Sequence, residues 1–150
     1  MRLWRISNYV TLAGTGGLIS PGRWHALALE VVYLAESPSA ALLERLVHLE
    51  IDPDELPQAY QLLAVDIPDG ADSEIVNEDE LPTDWRSNDA STWAIGDRWL
   101  MAGRTSLLRV PSAITPHTWD WLLNPKHGDA AKARIGEVMP APFDHRLFRL

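Results

Sequence analysis

Five side chains in this sequence have the chemistry needed to hold an anionic cofactor and to break a glycosidic bond within it. They are two arginines, a tyrosine, a carboxylate and a hydroxyl: Arg5, Arg23, Tyr33, Glu44 and Ser112. A guanidinium binds phosphate through paired N–H donors, and a carboxylate stabilises positive charge that develops on a sugar ring. Each residue stands on or beside a short apolar run. We therefore expect elements of regular structure to fix these groups in place.

The two arginines lie in different local settings. Arg5 stands between Trp4 and Ile6 in the first apolar run, so if those two side chains face the core of a strand, Arg5 faces the other side. Arg23 stands beside Trp24. A planar guanidinium in that position suits capture of a pyrophosphate, or it packs its stem on the ring as a surface arginine. Both interpretations of Arg23 stay open from the residues alone.

The tyrosine, the glutamate and the serine each have a structural alternative as well. Tyr33 interrupts an aliphatic strand, and its ring either stacks on a ligand or belongs to the core with its hydroxyl bonded to backbone. Glu44 lies beside the apolar arc of a helix, where a carboxylate loses hydration unless it is paired or used; the alternative is a surface pair with His48. Ser112 follows a predicted strand, where it could bond a ribose hydroxyl or Glu44, or act as a turn serine.

Hydrophobic patterning predicts a fold of the α+β class, with more strands than helices. Ser37 and Pro38 are typical of the first turn of a helix. The acidic residues 69–88 are expected to form a surface excursion, and residues 131–138 a strand or short helix. The predicted strands are residues 3–7, 30–36, 60–67, 106–113 and 119–123, and the predicted helices are residues 38–50 and 91–101.

Length and composition restrict the class of protein. We expect one domain over residues 1–150, and a net charge of −8 argues against a nucleic-acid backbone as direct partner. The absence of cysteine excludes disulfides and thiolate chemistry and fits a reducing cytosol. The histidines have no spacing typical of a metal site, so no metal is expected. The first residues are too quickly polar for a signal peptide, and no apolar run spans a membrane, so we expect a cytoplasmic protein.

The ordered set of motifs resembles the RES-domain toxins, which are named for their Arg, Glu and Ser. The resemblance runs from Arg5 to Phe148. It differs from the usual pattern at His25, where Asn is common, near Ala28, where Gly is usual, and at Gly128, where Pro often follows the His. The motifs that carry it are LWRIS at 3–7, GTGG at 14–17, GRWH at 22–25, VVYLAESP at 31–38 with Glu44, VPSA at 110–113 and LLNPKH at 122–127.

The resemblance implies a fold, a reaction and a partner. The fold is similar to that of ADP-ribosyltransferases, with split β-sheets, flanking helices and a central cleft. The implied substrate is NAD, cleaved between nicotinamide and ribose without a metal. Glu44, Arg23 and Ser112 are the implied catalytic residues, while Arg5, Arg23, Tyr33 and Ser112 would bind NAD. The implied partner is a helix-turn-helix DNA-binding antitoxin, for which Trp24 is a candidate contact.

Two other classes of function remain as alternatives. Clusters of Arg, His, Glu and Ser also serve phosphodiester cleavage, so an RNA-cleaving toxin is one alternative, against which the acidic balance counts. The other is a non-catalytic interaction module whose residues 69–88 bind a basic partner. Release of nicotinamide from NAD, or cleavage of RNA, distinguishes the three.

Overall fold

The computed structural model describes residues 1–26, 28–49 and 60–148. It contains seven strands, two α-helices and four short 3-10 segments within those ranges. The 3-10 segments are Thr15–Leu18, Glu78–Glu80, Gly128–Lys132 and His145–Phe148. In chain order the main elements are β1 (Arg2–Ser7), β2 (Val32–Ala35), α1 (Pro38–His48), β3 (Gln61–Asp66), β4 (Ser73–Ile75), α2 (Asp89–Ala102), β5 (Leu107–Pro111), β6 (Trp119–Leu123) and β7 (Arg134–Pro140).

The strands form one mixed sheet in the order β4-β5-β6-β2-β1-β3-β7. β4 and β5 are parallel, and the other neighbours are antiparallel. The predicted α+β class is confirmed. The sheet is nearly divided between β1 and β2, which share one register pair, Trp4 with Ala35, whereas β1 and β3 are in register from Arg2 with Asp66 to Ser7 with Gln61.

Strand alternation gives the sheet two faces with different cores. On the face that carries both helices, hereafter the helix face, Ile6 and Ala35 pack with α1, and Leu108 and Leu122 pack near α2. These are two separate clusters of the core, and the alternate residues of the strands form a third cluster on the opposite face. Its members are Leu3, Val32, Leu34, Leu63, Val65, Ile67, Leu107, Trp121, Leu123 and Ala130. Successive residues of one strand therefore serve different environments.

The sequence signals of both helices are realised at their ends. Ser37 caps α1 by accepting a hydrogen bond from the Ala40 N–H at 3.1 Å, which satisfies one of the free donors of the first turn. α1 ends at His48, and position 50, where the helix was expected to end, lies outside the described residues. α2 is closed by Gly103, whose φ of 58° is left-handed and whose N–H donates to the Trp99 carbonyl at 3.0 Å.

One expectation about the chain needs correction, and the strand expected as one alternative for residues 131–138 is present as β7. Residues 69–88 are not a simple surface excursion, because they include β4 and bury Val76, Leu81 and Trp85 in the core beneath α2. Residues 131–138 are divided between the end of a 3-10 segment and β7. No helix in the described part of the chain is both long and apolar enough to cross a membrane.

Candidate active site

The loop at residues 22–26 carries Arg23 and is held against α2 by its own backbone. Three side chains of α2 bond to backbone atoms of this loop, so the helix sets the loop's position. Trp93 Nε1–H donates to the Gly22 carbonyl at 2.7 Å, Thr92 Oγ1–H donates to the Arg23 carbonyl, and Asp97 Oδ1 accepts from the Ala26 N–H at 2.9 Å.

The packing of α2 on this loop requires a glycine. A Cβ built on Gly96 would lie 1.6 Å from the Trp24 carbonyl oxygen, far inside any allowed contact. The helix backbone therefore touches the loop backbone directly. Trp24 itself is 2% exposed and packs against Trp85 with ring centroids 5.8 Å apart. Its proposed role as an apolar contact for a partner is wrong in this structure, since its ring belongs to the core.

Tyr33 and His25 form a hydrogen-bonded pair inside the loop. Tyr33 Oη accepts from the Trp24 N–H at 3.1 Å and lies 2.8 Å from His25 Nδ1, which also accepts from the Gly22 N–H at 3.1 Å. His25 Nε2 lies 3.3 Å from the Gly17 carbonyl. These partners assign the ring proton to Nε2, with Tyr33 donating to Nδ1.

Burial keeps both members of this pair neutral. It lowers the pKa of His25 and raises the pKa of Tyr33, because each charged form would lose hydration. The charges of Glu44 and Arg23 also act on the pKa of Tyr33, which places all three groups in one electrostatic neighbourhood. The Tyr33 hydroxyl is thus a structural group, while its ring remains half-buried on the helix face.

Arg23 is held at the surface by two acceptors. Its guanidinium donates to the Asp89 carboxylate at the start of α2 and to the Arg86 carbonyl. Its side chain is 23% exposed, so part of it still meets solvent. An anion that binds there would share the guanidinium with Asp89.

Glu44 and Ser112 meet across the fold although 68 residues separate them in sequence. Ser112 Oγ lies 3.3 Å from Glu44 Oε1 and accepts hydrogen bonds from the Ile114 and Thr115 N–H groups at 3.2 and 3.3 Å. A hydroxyl has one proton and two acceptor sites. Because two backbone donors occupy the acceptor sites, the proton of Ser112 is directed to the Glu44 carboxylate. Of the two predicted pairings of Glu44, the structure contains the one with Ser112.

A second carboxylate, which sequence reasoning missed, lies against the first. Asp120 of β6 is 8% exposed and lies on the helix face opposite Ala35, which packs under α1. Burial and the neighbouring charge of Glu44 raise the pKa of Asp120 well above its usual range. Asp120 lies in an apolar run between two tryptophans, where alternation assigns it to the face opposite theirs. That pattern was a usable signal for its burial, but it does not indicate its partner.

Arg5 is not brought together with these groups. Trp4 and Ile6 pack on the helix face with α1, so the Arg5 side chain is directed to the opposite face, as alternation predicts. Its Nη1 is buried and has no hydrogen-bond partner among the described residues. Burial, reinforced by the charge of Arg45, lowers the pKa of Arg5 to about 10. Arg5 is therefore still a cation at neutral pH.

The opposite face carries a second, half-buried arginine that sequence reasoning also missed. Arg109 lies over the Trp119 ring, with its Cζ 4.3 Å from the ring centroid, and pairs with Glu36 at 3.0 Å. Within the described chain, Arg109 Nε and Trp121 Nε1 are buried without a hydrogen-bond partner. Nothing in the sequence distinguishes this strand arginine from a solvated one.

Asn124 has a structural role. Asn124 is 3% exposed, and its Nδ2 donates to the Leu100 carbonyl of α2 at 3.3 Å, so it ties the end of β6 to that helix. No group of three His, Asp or Glu side chains suited to a metal ion occurs in the described ranges.

Comparison with known proteins places the chain in a family. A family profile described as RES domain matches residues 2–144. A protein named Toxin Res from Pseudomonas putida is 45% identical over 99% of this chain and 100% of its own length. A protein named Prs ADP-ribosylating toxin from Sphingobium sp. is 35% identical over 92% of this chain and 87% of its own length.

A solved structure has the same fold. It is the toxin–antitoxin complex MbcT–MbcA of M. tuberculosis, which superposes with a TM-score of 0.72 over 98% of this chain and 86% of the matched chain, at 16% identity. At that identity the likeness concerns the fold. The profile match over nearly the whole sequence, with relatives that align over most of their length, leads to one conclusion: this chain belongs to the RES-domain family.

Proposed function

We propose that this chain is the toxin of a toxin–antitoxin module and that it consumes NAD by cleaving the bond between nicotinamide and ribose. The observation that carries the proposal is the hydrogen bond from Ser112 to Glu44. It joins two of the three residue types that name the family, and it orients a carboxylate on the helix face. The names of the relatives, which include an ADP-ribosylating toxin, support chemistry on NAD.

The proposed reaction uses Glu44 as an electrostatic group. The C1′–N bond of NAD breaks with its electron pair on the nicotinamide nitrogen, so the cationic ring leaves as neutral nicotinamide and needs no general acid. The barrier lies in the oxocarbenium ion that develops on the ribose. Glu44 would stabilise that charge or hold the ribose 2′-hydroxyl, an effect of about 3–4 kcal/mol by analogy with other oriented groups. An acceptor oxygen then bonds to C1′ and loses its proton.

Other residues of the chain would bind the substrate. Tyr33 would stack its ring on the nicotinamide side, and Arg23 would contact the pyrophosphate with the part of its guanidinium that Asp89 leaves accessible. Arg5 would contribute to pyrophosphate binding through the charge of its guanidinium, whose Nη1 has no partner among the described residues. Because Arg5 is directed to the opposite face, its role requires the substrate to extend past the point where β1 and β2 are nearly divided.

The acceptor of the ADP-ribosyl group is water, inorganic phosphate or a protein side chain. The relative that is named an ADP-ribosylating toxin favours a protein acceptor in that protein. For this chain, the products formed from NAD with water alone, with added phosphate and with a cell extract would identify the acceptor.

The test of the proposal is incubation of the purified chain with NAD and, separately, with RNA. Free nicotinamide in the first reaction and intact RNA in the second are the expected results. Laddered RNA with intact NAD would identify the alternative toxin chemistry. If both substrates stay intact, a non-catalytic interaction module is the better account.

The proposed partner is a helix-turn-helix antitoxin in the cytoplasm. A protein that destroys NAD would arrest its own cell unless a partner neutralised it, and a basic DNA-binding protein complements a chain with a net charge of −8. Exposed apolar side chains occur in the segment before the site loop, including Tyr9 at 69% and Ile19 at 79%. We expect expression alone to lower cellular NAD and stop growth, and co-expression of the antitoxin to restore both.

A further inference from the structure

We propose that Asp120 is a positioning residue that retains a proton and donates a hydrogen bond to Glu44, so that Glu44 is the ionised member of a carboxyl pair. This inference rests on the proposed function, because it assigns a task to a group beside the proposed catalytic carboxylate. The task is to fix the direction of the Glu44 carboxylate and to keep its negative charge available for the ribose.

Contact between two carboxyl groups requires a proton. Asp120 lies opposite Ala35, which packs under α1, and opposite Val110, two residues before the Ser112 hydroxyl that is 3.3 Å from Glu44 Oε1. The two carboxyl groups therefore adjoin on the helix face, and two carboxylates carry acceptors alone. If both were ionised, they would repel each other in a site that contains little water. One of the two must therefore hold a proton at neutral pH.

The surroundings decide which one holds it. Across the sheet, Asp120 is in register with Val110 and Ala35, which are 0% and 3% exposed and provide no polar side-chain atom. Asp120 Oδ1 has no donor among the described residues. Glu44 is half-buried and accepts the Ser112 proton. The better hydrated and hydrogen-bonded group carries the charge, so Asp120 carries the proton.

The charges around Asp120 agree with this assignment. Glu44 of α1 and Glu36 at the end of β2 both raise the pKa of Asp120. Glu36 is paired at 3.0 Å with Arg109, whose guanidinium lies on the opposite face. On the helix face, Tyr33 is the neighbouring titratable group of β2, and burial keeps it neutral. The groups that face Asp120 therefore favour its protonated form.

The consequence is a carboxylate held by two O–H donors. Ser112 and Asp120 approach Glu44 from β5 and β6, and a carboxylate with two such bonds has a fixed plane. When Asp120 loses its proton in alkaline solution, Glu44 loses one donor and gains a repulsive neighbour. Its orientation is then lost, and the catalytic rate falls.

The kinetic test measures nicotinamide release from NAD between about pH 6 and 9.5. Wild type should lose at least about fivefold in kcat above pH 8. Asp120→Asn, whose amide N–H replaces the acid proton, should keep kcat within about threefold at pH 7 and lose this alkaline decline. Asp120→Ala should fall at least about tenfold in kcat with a smaller change in KM. Asp69→Asn, a fully exposed control, should behave as wild type.

An infrared measurement tests the protonation directly and does not depend on NAD chemistry. The C=O stretch of a protonated carboxylic acid should be present in folded wild type and in Asp69→Asn at pH 7, and it should be missing from Asp120→Asn. Equal bands in wild type and Asp120→Asn, or an alkaline decline that persists in Asp120→Asn, would overturn the proposal. If no variant releases nicotinamide, the proposed function fails, and the infrared band still decides the protonation of Asp120.

Discussion

The two faces of the sheet bury charges of opposite sign. On the helix face, Glu44 meets Asp120, and both groups are acidic. On the opposite face, Arg5 and Arg109 bury guanidinium nitrogens. Since adjacent residues of a strand point to opposite faces, the sheet separates Glu44 and Asp120 from Arg5, while Arg109 is paired with Glu36 at 3.0 Å. The fold therefore keeps Glu44 available for positive charge and leaves Arg5 without an acidic partner among the described residues.

The faces also differ in how far the protein satisfies its own polar groups. On the helix face, the hydroxyls of Tyr33 and Ser112 each have assigned donors and acceptors, whereas Asp120 Oδ1 is buried without a partner among the described residues. On the opposite face, Arg5 Nη1, Arg109 Nε and Trp121 Nε1 lack partners within the described residues. Buried donors without acceptors are costly. The unpartnered buried atom of the helix face is thus an oxygen acceptor, and those of the opposite face are N–H donors.

Loss of the charge on the helix face has the largest expected effect. Glu44→Gln keeps the size of the side chain and can still accept from Ser112, but it cannot offset an oxocarbenium ion. We expect kcat for nicotinamide release to fall by about 100-fold or more with folding retained. Glu137→Gln on the edge strand β7 is the matched control. Near-normal turnover by a folded Glu44→Gln protein would remove the catalytic assignment.

Loss of the Arg5 charge on the opposite face should stabilise the protein and weaken its binding of NAD. Arg5→Met replaces an incompletely paired buried cation with an apolar side chain of similar length. We expect the free energy of unfolding to rise by about 1–3 kcal/mol, while KM for NAD increases because an anion contact is lost. Arg98→Met, exposed on α2, should change neither. An unchanged KM in Arg5→Met would mean that NAD binds wholly on the helix face.

A smaller effect on KM is expected at Arg23, because its guanidinium would bind both the substrate and the protein's own Asp89. Arg23→Lys keeps the charge and loses the planar fork that also bonds Asp89 and the Arg86 carbonyl. KM for NAD should rise about tenfold, with kcat less affected. Arg104→Lys in the exposed pair with Glu74 is the control. Identical KM values for both variants would make Arg23 a structural arginine.

The smallest effect tests the loop that joins Arg23 to β2. Ala28 has a φ of 71°, a left-handed conformation that costs a side chain about 1–2 kcal/mol. Ala28→Gly removes that strain but adds freedom to the unfolded chain, so the net gain in unfolding free energy should be below about 1 kcal/mol. Ala94→Gly, in the exposed middle of α2, should destabilise by about the same amount. A loss of stability in Ala28→Gly would contradict the backbone assignment.

The local parts of the fold were predictable, because their signals lie within a few residues. β6 has the predicted bounds, Ser37 caps α1, and the direction of Arg5 follows from its apolar neighbours. β4 was missed because its three residues, Ser-Glu-Ile, show no period, and the acidity of the surrounding segment concealed the buried Trp85. Such a short strand forms because β5 provides a parallel edge for it, which is information from distant residues.

The candidate site was predictable in its residue types and less so in its contacts. Glu44 and Ser112 were chosen by type and by resemblance, and their hydrogen bond depends on how α1 docks near the end of β5. The Asp120 contact depends on the same docking, so no local pattern indicates it. For Arg5 the local pattern was the better guide. Alternation along β1 predicted that its side chain points to the opposite face, whereas the resemblance placed it in one site with Glu44.

Binding of NAD and cleavage of its glycosidic bond are separate steps, and Glu44 should act on the cleavage rather than on the binding. The most direct measurement is calorimetric titration of NAD into the Glu44→Gln protein, with free nicotinamide assayed in the same sample and in a wild-type sample. We expect saturable binding with a Kd close to the wild-type KM, little nicotinamide from the variant and continuous release from wild type. Absence of NAD binding, or equal release from both proteins, would contradict the claim.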